Sequence, residues 1–249
     1  MKEVYLAYFD FMGFKQFILN NEDEVLMRRM GHIFRDIEMC IARGKFHPPQ
    51  GGMIFADTTQ SKLNTLNISD TILFWTNDLS EESLAELIEV AYEFNWREIT
   101  YNFPLRGAIV KGNIRIVSGK NDNENGGSYS VQCLYGKGLV YAHDLAENQD
   151  WAGTIIDEAV IYDLESFDKG RELIEKNMVN YDVPLKKDRI RSSKVFKLRQ
   201  GIFNDEAQTN LLNDIERVFA LDNKGIELED VKRKIKNTQD FLIHTKEIP

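Results

Sequence analysis

The chain has 249 residues, 43% of them hydrophobic and 29% charged, with a formal net charge of −9. That length builds one large domain, or a catalytic domain with an appendage, around a full core. The acidic balance excludes general nucleic-acid binding, which needs a basic face, but leaves room for a small basic pocket around one triphosphate.

Residues 3–9, Glu-Val-Tyr-Leu-Ala-Tyr-Phe, read as a buried strand. Phe14, Phe17, Ile18, Leu26, Met30, Ile33, Phe34, Ile37 and Ile41 follow at helical spacing, so one long helix is predicted to about Arg43, ended by Gly44 and Pro48-Pro49. Strand pieces around a loop are expected between Gly52 and Asn67. Residues 69–76, Ser-Asp-Thr-Ile-Leu-Phe-Trp-Thr, give the clearest strand of the chain. Ser80 is placed to cap the next helix, with Glu81 and Glu82 in its first turn and Leu84, Leu87, Ile88, Ala91 and Tyr92 as its apolar stripe. Residues 105–118 read as a hairpin turning at Lys111-Gly112-Asn113, followed by a mobile loop over 119–128. A helix from Gly138 to Ala146, a strand over 153–157, a helix near 163–177 and a strand at 195–198 come next. From Asp205 the chain reads as two helices split at Asn223-Lys224-Gly225. This order is that of an α+β fold, an antiparallel sheet with helices on one face.

No apolar run reaches membrane-spanning length, and Met1-Lys2-Glu3-Val4-Tyr5 enters a strand pattern without a secretory signal. Two cysteines, Cys40 and Cys133, make neither a disulfide framework nor a metal cluster, and four scattered histidines lack the ligand spacing of a zinc site. A reducing cytoplasm is the compartment these features suggest.

Two short motifs carry chemistry. In Tyr8-Phe9-Asp10-Phe11-Met12-Gly13-Phe14 an acid ends a buried strand, and a glycine three residues later lets the chain turn into a helix whose N-terminus favours phosphate. The plainer alternative is that Asp10 caps that helix. In Ser69-Asp70-Thr71-Ile72-Leu73-Phe74-Trp75 the acid sits at a turn before an apolar strand, and alone it reads as a turn aspartate. Together the motifs suggest two carboxylates meeting at the ends of adjacent antiparallel strands, a set that suits hard divalent ions and phosphoryl chemistry.

Residues 8–14 resemble the strand-to-helix metal motif of class III nucleotidyl cyclases, and Ser69-Asp70-Thr71 resembles that family's second metal aspartate. Leu105 to Gly112 is similar to its next strand, and Cys133 to Ala146 to the stretch entering its last catalytic helix. The resemblance covers roughly residues 3–160. It implies a ferredoxin-like core and a homodimer with active sites at the interface. It also implies attack of the ribose 3′-oxygen on the α-phosphate with two divalent cations, Mn²⁺ or Mg²⁺. Asp10 and Asp70 match the metal carboxylates and Phe11 the residue lending a carbonyl to a metal. Gly13 and Phe14 complete the substrate-facing turn.

Several positions depart from the family. Adenine-reading members carry Lys, and guanine-reading members Glu, where this chain has Leu66. The Cys that partners that Glu is present as Cys133, which alone also reads as a small core residue. The family's transition-state Asn and Arg fall at Val140 and Asp144, and an acid beside a triphosphate has the wrong sign. The best resemblance is to the pyrimidine cyclases of Pycsar antiphage systems, in which an arginine at the place of Arg106 is a candidate for substrate recognition. A guanidinium forks onto phosphate or a pyrimidine carbonyl; the alternative is a sheet-face arginine paired with a local acid.

The resulting expectation is a catalytic domain over residues 1–203 and a C-terminal helical extension over 204–249 that packs on it. The chain would convert UTP to cyclic UMP, or CTP to cyclic CMP, with catalytic Asp10, Asp70 and Arg106. Phe11, Gly13, Phe14, Leu66 and Cys133 would line the substrate. A separate effector protein would sense the product, with no nucleic-acid or membrane partner. A purine cyclase and a nucleotide-binding domain without turnover are the rival expectations. Among other residues, His32 reads as structural and His143 as able to face the site. Lys137 and the run Lys186-Lys187-Asp188-Arg189-Ile190-Arg191 read as solvated, with a triphosphate contact as their alternative.

Overall fold

A computed structural model describes residues 1–198 and 204–246. The expected boundary at residue 203, and residues 247–249, lie outside the described residues.

The first strand, β1 (Lys2–Phe11), sits in the middle of the sheet. Behind it come α1 (Phe14–Leu19) and α2 (Asp23–Ala42), then the hairpin β2 (Asn64–Ile68) and β3 (Thr71–Trp75). Helix α3 (Glu81–Arg97) runs into a π-helical turn, Glu98–Asn102, and on to β4 (Leu105–Asp122) and β5 (Ser128–Tyr135). Then follow α4 (Lys137–Glu147), β6 (Gly153–Ile156), α5 (Glu158–Ser166) and α6 (Gly170–Asn177). The chain continues through β7 (Met178–Leu185), β8 (Arg189–Phe196), α7 (Asp205–Ala220) and α8 (Glu229–Lys246).

The strands lie in the order β2-β3-β1-β4-β6-β8-β7, with β5 paired to β4 alone. The first four form the antiparallel ferredoxin-like set, since β1 pairs antiparallel with both β3 and β4, and β3 with β2. The sheet is antiparallel throughout except where β4 meets β6 in parallel. Alternation along β1 sends Phe9 and Phe11 to one face and Tyr8 and Asp10 to the other. The first face carries the expected helical layer. Phe9 packs edge-on against Phe94 of α3 at 5.2 Å, and Phe11 and Phe17 meet Phe103 at 5.0 and 5.4 Å. The helix α4 adds a shorter layer across the second face, where Tyr8 meets the His143 ring at 5.8 Å.

Three segments depart from the sequence expectation. The long first helix breaks in two, because the Asn21 side chain donates to the Phe17 carbonyl at 2.8 Å and competes with the helical backbone there. The hairpin expected over 105–118 is one unbroken strand of 18 residues. Gly112 is no turn residue: it pairs with Val4, and an added Cβ would lie 2.7 Å from Gly138 Cα, so the two glycines let α4 settle onto the sheet. The real turn lies in the stretch expected to be a mobile loop, closed by Asn123 N to Gly127 O at 2.7 Å with Gly126 at φ 83°. Beyond it β5 pairs back along residues 115–122 of β4, forming a two-stranded arm.

The Ser80 cap is present, its hydroxyl accepting from Ser83 N at 3.3 Å. The predicted helix near 163–177 is the pair α5 and α6, and the late strand belongs to the β7–β8 hairpin. Helix α8 docks through Phe241 on Trp151 and Tyr181, each at 4.7 Å, and through Thr238, whose hydroxyl accepts from Ala152 N at 2.9 Å. Among the described residues no helix is long and apolar enough to cross a membrane.

Candidate active site

Asp10 stands at the end of β1, opposite Thr71 on one side and Arg106 on the other. Asp70 lies in the β2–β3 turn, where Ser69 adopts φ 56° so that two strands can join through two residues. Backbone hydrogen bonds bind the pieces together. Phe11 N donates to Asp70 O at 2.9 Å, and Met12 N to Pro104 O at 2.8 Å. The two acid-bearing segments are therefore joined through the backbone, and the Asp70 charge acts on the Asp10 carboxyl.

Asp10 is not alone. Arg106 donates to its Oδ2 from Nε at 2.9 Å and lies 2.8 Å from the same oxygen through Nη2. The guanidinium also donates to the Glu147 carbonyl at 3.2 Å and to the Glu147 carboxylate, whose other oxygen holds Lys186. A chain of alternating charge, Asp10–Arg106–Glu147–Lys186, thus runs from β1 through β4 to the end of α4 and the β7–β8 hairpin. Burial pushes the Asp10 carboxyl up from its ordinary range; Arg106 opposes this, while Asp70 and Glu147 add to it. Burial also acts on Glu147, but Lys186 and Arg106 together outweigh it and hold that carboxyl low.

A divalent metal fits this donor set. Asp10, Asp70 and the Phe11 carbonyl are hard oxygen donors, and both contacts of Arg106 fall on Oδ2 of Asp10, none on its Oδ1. The Asp70 carboxylate makes no hydrogen bond or ion pair with the described residues. No cluster of three His, Cys, Asp or Glu occurs among the described residues. Two carboxylates are the set a hard ion uses when substrate phosphates supply its remaining ligands.

The other expected residues distribute as follows. Gly13, at φ 82°, makes the sharp exit from β1 into α1. That helix has six residues, so its dipole offers little to a phosphate, contrary to the long helix expected behind the glycine. Phe11 is buried and Phe14 packs on Phe17 and Phe103; both side chains serve the core. Leu66 is a buried β2 residue opposite Leu73. Cys133 is exposed on the arm opposite Val117, which corrects its reading as a core residue. Eleven positions of β4 separate Val117 from Arg106, about 35 Å at the rise of a strand, so Cys133 and Asp10 of one chain do not meet. Val140 and Asp144 are exposed on α4. His143 is exposed, with Nδ1 3.2 Å from Asp144 Oδ1; His32 is half-buried on α2.

Two residues of the charge chain were missed as site residues. Glu147 closes the helical pattern of α4 and reads as an ordinary last-turn acid. Lys186 belongs to the basic run noted in the sequence, which was the one available signal.

No family model matches this chain, and no curated protein matches it. Solved structures do resemble it. The chain is similar to the guanylate cyclase domain of RhGC from Catenaria anguillulae in complex with GTP, at 11% identity and TM-score 0.49, covering 80% of this chain and 98% of that one. It is similar to a guanylyl cyclase domain of the RhoGC fusion protein from the aquatic fungus Blastocladiella emersonii, at 13% identity and TM-score 0.49, covering 78% and 93%. It is also similar to the adenylyl cyclase CyaB from P. aeruginosa, at 10% identity and TM-score 0.43, covering 82% and 97%. At these values the likeness assigns no activity, substrate or assembly to the chain.

Proposed function

We propose that this chain is a nucleotidyl cyclase that converts UTP to 3′,5′-cyclic UMP and pyrophosphate. The observation that carries the reading is the juxtaposition of Asp10 and Asp70 across the Phe11 N to Asp70 O bond, at the open ends of three antiparallel strands. Asp10, Asp70 and the Phe11 carbonyl would hold two divalent cations, Mn²⁺ or Mg²⁺. Such cations, when bound, acidify an attacking hydroxyl and neutralise a leaving phosphate. In the reaction the O3′–Pα bond forms, the bond from Pα to the bridging oxygen breaks, pyrophosphate leaves, and the 3′-hydroxyl proton passes to solvent.

The chain's own residues then have definite tasks. Asp10 and Asp70 would fix the triphosphate end of the substrate through those cations. Arg106 is the cation in contact with Asp10, and its fork suits a phosphate oxygen or a pyrimidine carbonyl. Glu147 anchors Arg106 from the far side, so the guanidinium keeps one partner when Asp10 turns to another cation. The pyrimidine base rests on the sequence resemblance alone. So do a homodimer with shared sites, a separate effector that senses the product, and a role in antiphage defence.

Cytidylate cyclisation is the same reading with a different base. A second reading, nucleotide binding without turnover, is favoured by two observations: Val140 and Asp144 stand where the family places its transition-state Asn and Arg, and Arg106 occupies Asp10. Purified protein with Mn²⁺ and each of ATP, GTP, CTP and UTP separates these outcomes by product mass. Cyclic UMP is expected, and Asp10→Ala or Asp70→Ala is expected to abolish it. A purine product would overturn the pyrimidine base, and no product with tight nucleotide binding would establish the second reading.

A further inference from the structure

A lysine lies buried behind the candidate site where no acceptor meets it. Lys224, between α7 and α8, is 4% exposed, and its Nζ has no hydrogen-bond partner. The stem of the side chain runs along Gly13, whose added Cβ would stand 3.5–3.7 Å from Lys224 Cβ, Cγ and Cδ. The ammonium rests over the Phe103 ring, 4.1 Å from its centroid. One side chain thus lies beside Gly13, two residues past the end of β1, and over Phe103, which leads through Pro104 and Leu105 to Arg106.

The surrounding loop is tied down by polar contacts and held in a costly conformation. Asp222 and Asn223 both have positive φ, 56° and 54°. Asp222 accepts from Arg29 Nε at 2.6 Å in an ion pair whose side chains are 10% and 8% exposed. Asn20 donates to the Asn223 carbonyl at 2.8 Å and Asn21 to the Asp222 carbonyl at 2.6 Å. Arg29 also donates to Asn102, the last residue of the π-helical turn, at 3.0 Å. These contacts fasten the loop to α1, α2 and the turn before β4, the segments that flank the site.

We infer that Lys224 is a positioning residue, a wedge from the C-terminal segment that holds the Gly13 turn leaving β1 against Phe103 at the entry to β4, and so steadies the strand ends that carry Asp10 and Arg106. The inference rests on the reading of Asp10 and Arg106 as site residues. Leu or Met would fill the same space without desolvating a charge, so the ammonium is tolerated at a cost. Burial pulls its pKa down to about 7; Asp222 and the fully buried Glu98 oppose the fall, and Arg29 adds to it. The stem, rather than the charge, therefore performs the wedging.

The test uses full-length protein with Lys224→Ala, which removes the stem, and Lys224→Met, which keeps it. Amide hydrogen exchange reads the positioning directly. Faster exchange over residues 11–17 and 103–107 is expected in Lys224→Ala, with wild-type exchange in Lys224→Met. Turnover of the folded protein is expected to fall about tenfold in Lys224→Ala, in kcat rather than KM, and to be restored in Lys224→Met, a 1.4 kcal/mol effect at the transition state. If Lys224→Ala does not fold, Asp222→Ala, which frees the loop from Arg29, gives the same readouts. Unchanged exchange overturns the wedge. Faster exchange with unchanged kcat overturns its positioning role and leaves a purely structural one. If the wild type turns over no triphosphate, the functional reading falls, and the exchange pattern alone decides whether the wedge exists.

Discussion

Removing Arg106 is the sharpest test of how the candidate site is held together. Arg106 and Asp10 are 13% and 15% exposed, so Arg106→Met strands a mostly buried carboxylate. Opposite unit charges about 4 Å apart attract by about 4 kcal/mol at an effective dielectric near 20. Part of that attraction already offsets desolvation, since burial pushes the Asp10 carboxyl up even with the arginine present. Protonation of Asp10 limits the damage further. The net loss expected at pH 8 is about 2–3 kcal/mol of folding stability. The sign with pH follows from the direction of the shift. A carboxyl whose folded pKa is raised destabilises the fold increasingly as pH rises past the ordinary Asp range, and fully above the folded pKa, so the loss is largest at alkaline pH and shrinks as pH falls into the ordinary Asp range. Asp10→Asn removes the charge that needs a partner. Urea denaturation of wild type, both single variants and the double variant measures the coupling, expected at about 1–2 kcal/mol. A coupling under about 0.5 kcal/mol, in the range of independent sites, would refute the charge chain as a structural unit.

Two further outcomes are expected. Gly112→Ala pushes a methyl to 2.7 Å from Gly138 Cα, backbone that cannot swing aside, and should cost about 1–3 kcal/mol in denaturant unfolding. Gly119→Ala, with open space around it, serves as the control and should stay within about 0.5 kcal/mol. Glu98 is fully buried, and both its carboxylate oxygens lack partners. Burial, aided by Asp36, drives its pKa well up against Arg29 and Lys224, so wild-type stability falls as pH rises above the ordinary Glu range. Glu98→Gln should therefore gain about 1–3 kcal/mol at pH 8 and nothing near pH 4. A loss at pH 8 would show instead that Glu98 and Lys224 act as a stabilising pair.

Local rules made much of the fold legible. The apolar run before Asp10, the Ser80 cap with its two glutamates, and the two C-terminal helices all follow from period, capping and propensity. The failures trace to glycine and asparagine. Gly112 looks like a turn residue by composition, but its missing side chain serves an approach by α4 that no local window contains. Asn21 looks like a helix interior, yet its side chain takes the Phe17 carbonyl and ends the first helix. The candidate site was half legible. Asp10 and Asp70 announce themselves through strand ends and turns, because each sits where local sequence dictates backbone geometry. Glu147 and Lys186 do not, because their roles arise only when α4 and the β7–β8 hairpin converge on Arg106. Lys224 reads as part of a helix break, and nothing nearby in the chain tells that its stem will lie along Gly13.

The uninterrupted course of β4 has a mechanical consequence. Arg106 sits at one end of the strand, and the β5-paired arm begins nine residues later and runs to Asp122. Strand rise over this span gives a rod of roughly 55 Å, clamped in the sheet at its base and free of sheet neighbours beyond β5 at its tip. A rod without a joint does not absorb a load locally. Force applied to the arm is delivered as torque at its root, where Asn113 and Ile114, paired with Glu3 and Lys2, take it first and pass it along β4 toward Arg106.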